Sequence, residues 1–444
     1  MATILLCTMP LSSATNASLK LAGSLRKRGH QVVFLGIKDG EAMLAPYGYE
    51  FLAVYQDWFP AGFVGDWIRS KVDKMSWREQ LGFLLSERQK LLRHEAFINF
   101  LMAGGDREYV ETVRAVRPDL VLVDATLHAH WALLAYRSGV KCAYYNPGLP
   151  LSEDPVIPPL HSLLPPATDP PSRAQVRQAW KTFLDRRWRA NKLMALAGIA
   201  DWVGHMRQLA RAFGYPLERF NTRTELMPLL DWPMLVMCPQ AFDFDAARDR
   251  PNIYYAEAFV ELDRKEPAFP WDRLNDGKRL VYCSLGSIAS SGHFYQRVID
   301  AVAREPDWQL VLNLGPALSP ADFHGIPEDA ILVNGAPQLA LLRKAAVMVT
   351  HGGIGTVKEC VFFAVPQIVF PIYFDQFGSA SRVRYHGLGA AGSFAEADAE
   401  AIHALLCDTL RDADMKSRVQ AMSAVFQALE AEEAGAVFVE SQLG

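Results

Sequence analysis

The 444-residue sequence lacks the features that mark several classes of protein. It has no excess of positive charge, since 45 lysines and arginines face 49 acidic residues, so a nucleic-acid partner is not expected. No apolar run reaches the roughly 18 residues that a transmembrane helix needs. The N-terminus has neither the basic region nor the cleavage site of a signal peptide, and we expect it to form a first strand.

Cysteine pairs are also missing. Six cysteines stand at positions 7, 142, 238, 283, 360 and 407, and none belongs to a Cys-x-x-Cys pair. Most of them lie in apolar segments, which is typical of reduced thiols in a protein core. We therefore expect a cytoplasmic protein without disulfides.

Short apolar runs alternate with helical patterns in both halves of the chain. Such runs are typical of strands buried on both faces of a parallel sheet. They fall at residues 3–9, 31–35, 118–124 and 141–145, and then at 280–284, 309–312, 330–333, 347–350 and 367–370. The polar residues 10–16 are expected to form a loop after the first run. The sequence therefore predicts an α/β protein with two doubly wound, Rossmann-like domains facing a cleft, where ligands tend to bind.

Proline-rich stretches suggest where the domains are divided. Residues 147–171 contain nine prolines and predict a long loop, after which a basic helix begins at Arg173. Residues 239–275 mix prolines with charge and predict an interdomain linker. The predicted organisation is an N-terminal domain, a linker, a C-terminal ligand-binding domain and a closing helix, at residues 1–238, 239–275, 276–420 and 421–444.

The most informative segment is the run THGGIGTVKE at residues 350–359. A strand is expected to end at Thr350 and a helix to begin near Gly355. Glycines in such a turn let backbone N–H groups approach a ligand, and the helix N-terminus adds partial positive charge, so the segment predicts a phosphate site. His351 can donate a hydrogen bond to a phosphate oxygen, and Glu359 can accept from ribose hydroxyls. Alone, the segment is equally well explained as a tight turn.

Two further loops are expected at the same edge of the predicted sheet. Gly286 and Ser287 follow the first strand of the second domain, and Asp375 and Gln376 follow a later one. Carboxylate and amide groups are suited to binding sugar hydroxyls. Because ligands of open α/β sheets bind at the carboxyl ends of strands, the three loops together favour a nucleotide-sugar site.

These segments resemble a known family. The donor-binding signature of the inverting nucleotide-sugar glycosyltransferases of GT-B fold is similar to three segments of this chain: Pro337-Gln338, THGGIGTVKE and VPQIVFPIYFDQFGSASRV. The family's N-terminal half, which binds the acceptor, is similar to two segments of residues 1–238: LKLAGSLRKRGHQVV (residues 19–33) and PDLVLVD (residues 118–124).

The resemblance implies a role for each matching residue. The donor diphosphate would be contacted by His351, Gly353, Gly355, Thr356 and Ser287, and Gly286 would be a further donor-binding residue. Gln338 would lie beside the base, Glu359 would hold the ribose, and Asp375 with Gln376 would bind the transferred sugar. The family often has a tryptophan just before the Pro-Gln pair, where this chain has Ala336, which leaves uracil and thymine both open as the base.

The sequence departs from the family at the expected catalytic base. The first-loop histidine of the family falls on Ala14, which cannot transfer a proton, although Asn16 matches the pattern. A positioned base contributes about 10²–10⁴-fold, so activity can survive its loss. Asp124 matches the family's histidine-orienting aspartate and could itself act as base, or it could cap a helix. Ser13 and Asn16 are candidates for acceptor binding, while His128 and His130 are better explained by packing.

The resemblance implies transfer of a hexose from a UDP- or dTDP-sugar, with inversion, to a hydrophobic small-molecule acceptor. Neither a metal nor any other cofactor is expected, because backbone amides and His351 would meet the diphosphate charge. The DxD at Asp243 and Asp245 lies in the predicted linker and is expected to be coincidental. Two alternatives stay open: a nucleotide-sugar epimerase on the same fold, and a degenerate donor-binding auxiliary protein, which Ala14 favours.

Overall fold

Two parallel sheets organise the chain, one in each half. The computed structural model describes residues 1–64, 70–71, 77–196, 202–247, 250–286 and 289–444. The first sheet has the spatial order β10-β9-β6-β5-β1-β2-β3, and all of its pairings are parallel. Its strands are β1 (Thr3–Cys7), β2 (Gln31–Gly36), β3 (Glu50–Ala53), β5 (Leu120–Asp124), β6 (Cys142–Asn146), β9 (Met234–Val236) and β10 (Ile253–Tyr255).

The second sheet is also wholly parallel and has the order β14-β13-β11-β15-β16-β17. Its strands are β11 (Arg279–Ser284), β13 (Trp308–Asn313), β14 (Ile331–Val333), β15 (Ala345–Thr350), β16 (Gln367–Val369) and β17 (Gly389–Ala391). Two further sheets have two short strands each. One pairs β4 (Ser70–Lys71) with β12 (Ala289–Ser290), and the other pairs β7 (Phe220–Asn221) with β8 (Leu229–Leu230).

Helices connect the strands of both sheets. They are α1 (Ser12–Lys27), α2 (Asp39–Leu44), α3 (Trp77–Phe100), α4 (Arg107–Val116), α5 (Ala129–Arg137), α6 (Pro170–Leu196), α7 (Trp202–Ala212), α8 (Gly292–Val302), α9 (Gln338–Leu342), α10 (Ile354–Phe362), α11 (Gln376–Tyr385), α12 (Ala399–Arg411), α13 (Ala413–Glu430) and α14 (Ala434–Ser441). Among the helices of these ranges, none is both long and apolar enough to cross a membrane.

The apolar runs of the sequence form the strands because each sheet is buried on both faces. Alternate residues of β1 and β5 contribute to separate apolar clusters on opposite sides of the first sheet. Residues of β11 divide in the same way between two clusters in the second domain. The runs therefore lack the polar alternation of a half-exposed strand, as the sequence predicted.

Two local expectations from the sequence are wrong. Residues 10–16 were expected to form a loop, but helix α1 already begins at Ser12, with Leu11 at its N-cap and no side-chain cap. The early start cannot be recognised from the sequence because the usual capping side chain is absent. Likewise, α6 begins at Pro170, inside the predicted loop, because proline is tolerated in the first turn of a helix.

The predicted linker contains an element of the first domain. Strand β10 (Ile253–Tyr255) lies within residues 239–275 and pairs with β9 at the edge of the first sheet. The closing segment is two helices, α13 and α14, rather than one. The last of these returns to the first domain, where Glu440 accepts hydrogen bonds from the Arg28 guanidinium at 2.9 and 2.6 Å. The domain bounds themselves stay a prediction.

Helix α10 is where the two domains meet. The Lys358 ammonium donates to the carbonyls of Pro147 (3.0 Å) and Met237 (2.5 Å), which follow strands β6 and β9. A Cβ on Gly355 would lie 3.2 Å from Cβ of Ser13, in the first turn of α1. The carboxyl ends of both sheets therefore face each other across this helix.

Candidate functional site

The turn between β15 and α10 has the geometry that an anion site needs. Gly352 has φ +88°, and a Cβ there would lie 2.4 Å from Cγ1 of Val369. A Cβ on Gly353 would lie 2.9 Å from Nε2 of His351. Gly353 is the N-cap of α10 and supplies no side-chain cap. The first N–H groups of the helix thus have no capping oxygen from that residue, which is the arrangement that binds phosphate.

His351 is held between two glycines. A Cβ on Gly286 would lie 2.7 Å from Cε1 of His351, so only glycine fits there. Burial lowers the pKa of His351 to about 4, and its Nδ1 lies 3.4 Å from Oγ1 of Thr350. The imidazole is therefore neutral at pH 7 and can offer a hydrogen bond to an anion, while positive charge comes from the helix N-terminus. Ser287, predicted to contact the diphosphate, lies outside the described residues.

Glu359 is engaged in a network. Arg264 donates to both of its oxygens, through Nη1 to Oε1 and through Nη2 to Oε2 at 3.2 Å. The Gln338 amide donates to Oε2 at 2.5 Å and lies 3.4 Å from Oγ1 of Thr356. Gln338, Thr356 and Glu359 thus lie close together, and the role that the resemblance implies for each of them stays a prediction.

Arg264 was missed by the sequence reasoning. It lies in the stretch predicted as a linker, 95 positions from Glu359, and no motif surrounds it. The one signal was its place beside Lys265 and Glu266 in a segment between two domains. That signal does not distinguish a site residue from a solvated one.

Asp375 and Gln376 begin helix α11 after a strained turn. Phe374 has φ +53° and its side chain is 63 % exposed. The Gln376 oxygen accepts the backbone N–H groups of Ile372 (2.8 Å) and Tyr373 (3.1 Å). Burial raises the pKa of Asp375 to about 6. Because the amide oxygen already holds the turn, Gln376 has only its N–H groups to offer a sugar hydroxyl.

Asp124 ends strand β5 and is fully buried. It accepts from the N–H of Met9 (3.4 Å) and from both the N–H (2.8 Å) and hydroxyl (2.6 Å) of Thr126. Helix α5 begins at Ala129 with His128 as its N-cap, so the helix-capping interpretation of Asp124 is wrong. Burial raises the pKa of Asp124 to about 6. Its bond to Met9 places it beneath the connection from β1 to α1.

The first turns of α1 contain the positions matched to the family's catalytic loop. Ala14 is buried, Ser13 is exposed, and Asn16 is partly exposed. His128 and His130 stack against each other at 5.5 Å between ring centroids. His130 is 1 % exposed and packs edge-on to Phe97, so packing explains it, as expected.

The DxD is structural. The Asp243 carboxylate accepts from Arg382 (Nη2 at 2.6 Å, Nε at 2.8 Å) and from the Tyr255 hydroxyl (2.5 Å), and it is buried. Asp245 accepts from the Tyr385 hydroxyl at 3.3 Å. The two carboxylates thus fasten the predicted linker to helix α11, which agrees with the expectation of coincidence.

Within the described part of the chain, one group of side chains has metal-ligand spacing. It consists of Glu305, His403 and Cys407. Glu305 precedes strand β13, so the group lies at the amino edge of the second sheet, opposite the turn that carries His351. Its Glu305–His403 contact of 2.8 Å is that of a hydrogen-bonded pair.

Comparison with known proteins agrees with this geometry. Residues 296–430 match the family described as erythromycin biosynthesis protein CIII-like, C-terminal domain. The oleandomycin glycosyltransferase of Streptomyces antibioticus is 34 % identical over 168 residues, which cover 38 % of this chain and 38 % of that protein. The match thus spans well under half of that relative.

Solved structures extend the similarity to the whole fold. The glycosyltransferase of kitacinnamycin superposes with a TM-score of 0.69 at 20 % identity, covering 100 % of this chain and 99 % of that one. A spinosyn rhamnosyltransferase complexed with thymidine diphosphate gives 0.63 at 18 % identity, covering 99 % and 100 %.

These findings confirm two sequence predictions. The chain has the GT-B fold, with two parallel-sheet α/β domains. Residues 296–430 of its second half are similar to the erythromycin biosynthesis protein CIII-like C-terminal domain, and part of the chain is similar to a glycosyltransferase, in agreement with the resemblance found in the sequence.

Proposed function

We propose that this protein is an inverting glycosyltransferase that moves a hexose from a dTDP- or UDP-sugar to a hydrophobic small-molecule acceptor. The observation that carries the proposal is the N-terminus of α10. There, the N-cap Gly353 supplies no side-chain cap to the first N–H groups of the helix, the neutral His351 lies against Gly353, and Glu359 lies one to two turns further along the same helix. The family match of residues 296–430 and the GT-B fold support the same function.

The donor diphosphate would bind at the start of α10. The helix dipole and N–H groups would hold its oxygens, and they would gain strength as negative charge builds on the departing diphosphate. Because the helix N-terminus supplies this charge, the reaction needs no metal at that point. The hexose would then lie toward Asp375, whose loop follows the neighbouring strand β16.

The acceptor would bind from the first domain. Aromatic side chains pack together there, and Ser13 and Asn16 lie on the turn of α1 that approaches Gly355. The described members of the aromatic cluster include Tyr55, Trp58, Phe59, Phe97 and Phe100. Tyr55 and Phe97 are buried. Trp58 and Phe59 are partly exposed and Phe100 is exposed, so these three side chains suit a flat hydrophobic acceptor.

Proton removal from the acceptor would fall to Asp124 or to an acceptor acidic enough to need no base. Burial holds the pKa of Asp124 at about 6, near the value that suits a general base at neutral pH. Its side chain is 0 % exposed, however, so an acceptor would reach it only if the first turn of α1 moved. The displacement itself is a single in-line step at the anomeric carbon, which converts an α-linked donor into a β-glycoside.

A second candidate function is a donor-binding auxiliary protein without turnover. Two observations favour it: Ala14 cannot transfer a proton, and Asp124 is enclosed. Nothing in the described residues or the comparisons favours the epimerase, and we do not propose it.

The test is transfer by the purified protein with UDP-glucose, UDP-N-acetylglucosamine and dTDP-sugars against phenolic and aliphatic acceptors. Wild type is compared with Glu359→Ala and Asp124→Asn, and with Asp276→Asn, a surface carboxylate paired with Lys344, as control. We expect transfer by wild type and the control, its loss in Glu359→Ala, and a fall of about 10²–10⁴-fold in kcat for Asp124→Asn.

Each result separates the candidates. Full activity of Asp124→Asn would exclude that carboxylate as base and leave acceptor acidity to explain the chemistry. Tight nucleotide binding without turnover, across acceptors of both kinds, would favour the auxiliary protein.

A further inference from the structure

Arg264 lies against the carboxylate to which the proposed function assigns the donor ribose. Its side chain is 12 % exposed and that of Glu359 is 10 % exposed. The guanidinium contacts Glu359 through both terminal nitrogens, which is the forked geometry that arginine forms with a carboxylate. The chain thus places a buried cation in the nucleotide site from a segment outside the second sheet.

The position of Arg264 is fixed by its neighbour. The Glu266 carboxylate accepts the backbone N–H groups of Leu339 (2.7 Å) and Ala340 (3.3 Å) at the start of α9. Glu266 also lies 3.7 Å from the Arg264 guanidinium. The segment from 264 to 266 is therefore anchored to the second domain through Glu266 as well as through the arginine–glutamate contact.

The hydrogen-bonding capacity of Glu359 is almost filled by these contacts. A carboxylate has about four acceptor sites, two on each oxygen. Oε2 accepts from Arg264 and from Gln338, and Oε1 accepts from Arg264. One site on Oε1 is left, which is enough for one sugar hydroxyl and not for two.

We propose that Arg264 makes this nucleotide site selective for 2′-deoxyribose, and hence for dTDP-type donors over UDP-type donors. A deoxyribose in the diphosphate presents only its 3′-hydroxyl, which the remaining site on Glu359 accepts. A ribose presents two neighbouring hydroxyls, so either one is left unpaired or Arg264 is displaced from its buried pairing, and both outcomes cost binding free energy. The inference rests on the proposed function of Glu359 as the ribose ligand.

The test compares two diphosphates that differ in one atom. UDP and dUDP share the base and the diphosphate, so the ratio of their dissociation constants isolates the 2′-hydroxyl. Isothermal titration calorimetry on the full chain is expected to show dUDP binding about five-fold more tightly than UDP. In Arg264→Met, both oxygens of Glu359 become available to ribose. We expect the ratio of the UDP dissociation constant to the dUDP dissociation constant to fall by about ten-fold.

Two further variants keep the test decisive. Arg264→Lys retains the charge but loses the fork, so its ratio is expected between those of wild type and Arg264→Met. Lys265→Met removes the same charge one residue away and is expected to keep the wild-type ratio. Thermal unfolding of each variant shows that it is folded.

The outcomes distinguish this inference from the proposed function. If wild type binds both diphosphates and prefers UDP, or binds the two equally, the selectivity for deoxyribose alone is overturned. An unchanged ratio of dissociation constants in Arg264→Met and Arg264→Lys would overturn it as well. Binding of neither diphosphate by folded wild-type protein would overturn the proposed function and this inference with it.

Discussion

Glycine at position 352 meets two requirements at once, a left-handed backbone and the absence of a Cβ. Its φ is +88°, and the nearest atom to an added Cβ would be Cγ1 of Val369 on the neighbouring strand β16, at 2.4 Å. Since strand β16 is buried, Val369 has little room to move. The turn that begins the anion site therefore tolerates no larger residue.

Gly352→Ala is expected to lower the free energy of unfolding by about 3 kcal/mol, from backbone strain and overpacking together. Urea denaturation measures this loss, and dTDP titration should show weakened binding. The matched control is Gly29→Ala, because Gly29 has φ +86° with no atom within 4 Å of an added Cβ. In Gly29→Ala the free energy of unfolding should fall by about 1–2 kcal/mol, from backbone strain alone. Equal losses in the two variants would mean that the contact with Val369 relaxes.

Single residues of the site were predictable only where a motif surrounds them. Gly352, His351 and Glu359 lie in one continuous segment, so the sequence implied that they lie together. The partner of Glu359 was not predictable, because Arg264 is 95 positions away and reaches it only through the fold. The burial of Asp124 under Met9 is likewise a tertiary contact between strands that are distant in sequence.

At the scale of elements, the strands were the most predictable part. Each of the nine runs identified in the sequence corresponds to a strand of one of the two sheets, because double burial leaves an uninterrupted apolar signal. Helix starts were less predictable. Helix α1 begins without a capping side chain, so nothing in residues 10–16 distinguishes it from a loop.

Helix α10 joins the nucleotide site to the domain interface. Its N-terminus forms the anion site, and one turn further Lys358 is 3 % exposed and donates to two carbonyls of the first domain. Burial lowers the pKa of Lys358, and the two carbonyls accept the hydrogen bonds that its buried ammonium would otherwise make to water. A substitution at Lys358 should therefore weaken the interface between the two domains.

Lys358→Met is expected to destabilise the fold by about 2–3 kcal/mol, because two buried carbonyls lose their donor. Differential scanning calorimetry should show a lower Tm and a broader transition as the domains uncouple. Lys344→Met removes an exposed pairing with Asp276 and should change stability by less than about 0.5 kcal/mol. An unchanged Tm in Lys358→Met would show that methionine packing replaces the lost bonds.

At the scale of the whole molecule, the last helix ties the two ends of the chain together. Helix α14 packs on α1, and the N–H of Gly435 at its start donates to Glu257 at 3.0 Å. Glu257 is 1 % exposed, and burial raises its pKa to about 7, with a smaller contribution from Glu430. Its carboxylate is thus poorly solvated wherever it is charged.

This gives the protein a pH-dependent stability. The pKa of Glu257 is raised from 4.5 to about 7 in the folded protein. The free energy of unfolding therefore falls as pH rises between those values, and the loss is complete above pH 7. Glu257→Gln keeps the oxygen that accepts from Gly435 and removes the charge. It should raise the free energy of unfolding at pH 8 by at most about 3 kcal/mol and change it little at pH 5. Glu261→Gln is the control, and an equal gain at both pH values would contradict the burial of charge as the cause.

The contact between Glu257 and Gly435 has one more consequence. The chain passes from the first sheet to the second between β10 and β11, and it returns to the first sheet's side between α13 and α14. The two passages lie against each other, since a Cβ on Gly435 would lie 2.2 Å from Cζ of Phe259. The domains are therefore joined by two peptide connections at the same edge. A protease that cuts the first connection leaves the second domain attached to the first through the packing of α14 on α1, and a protease that cuts the second connection leaves the two domains covalently joined.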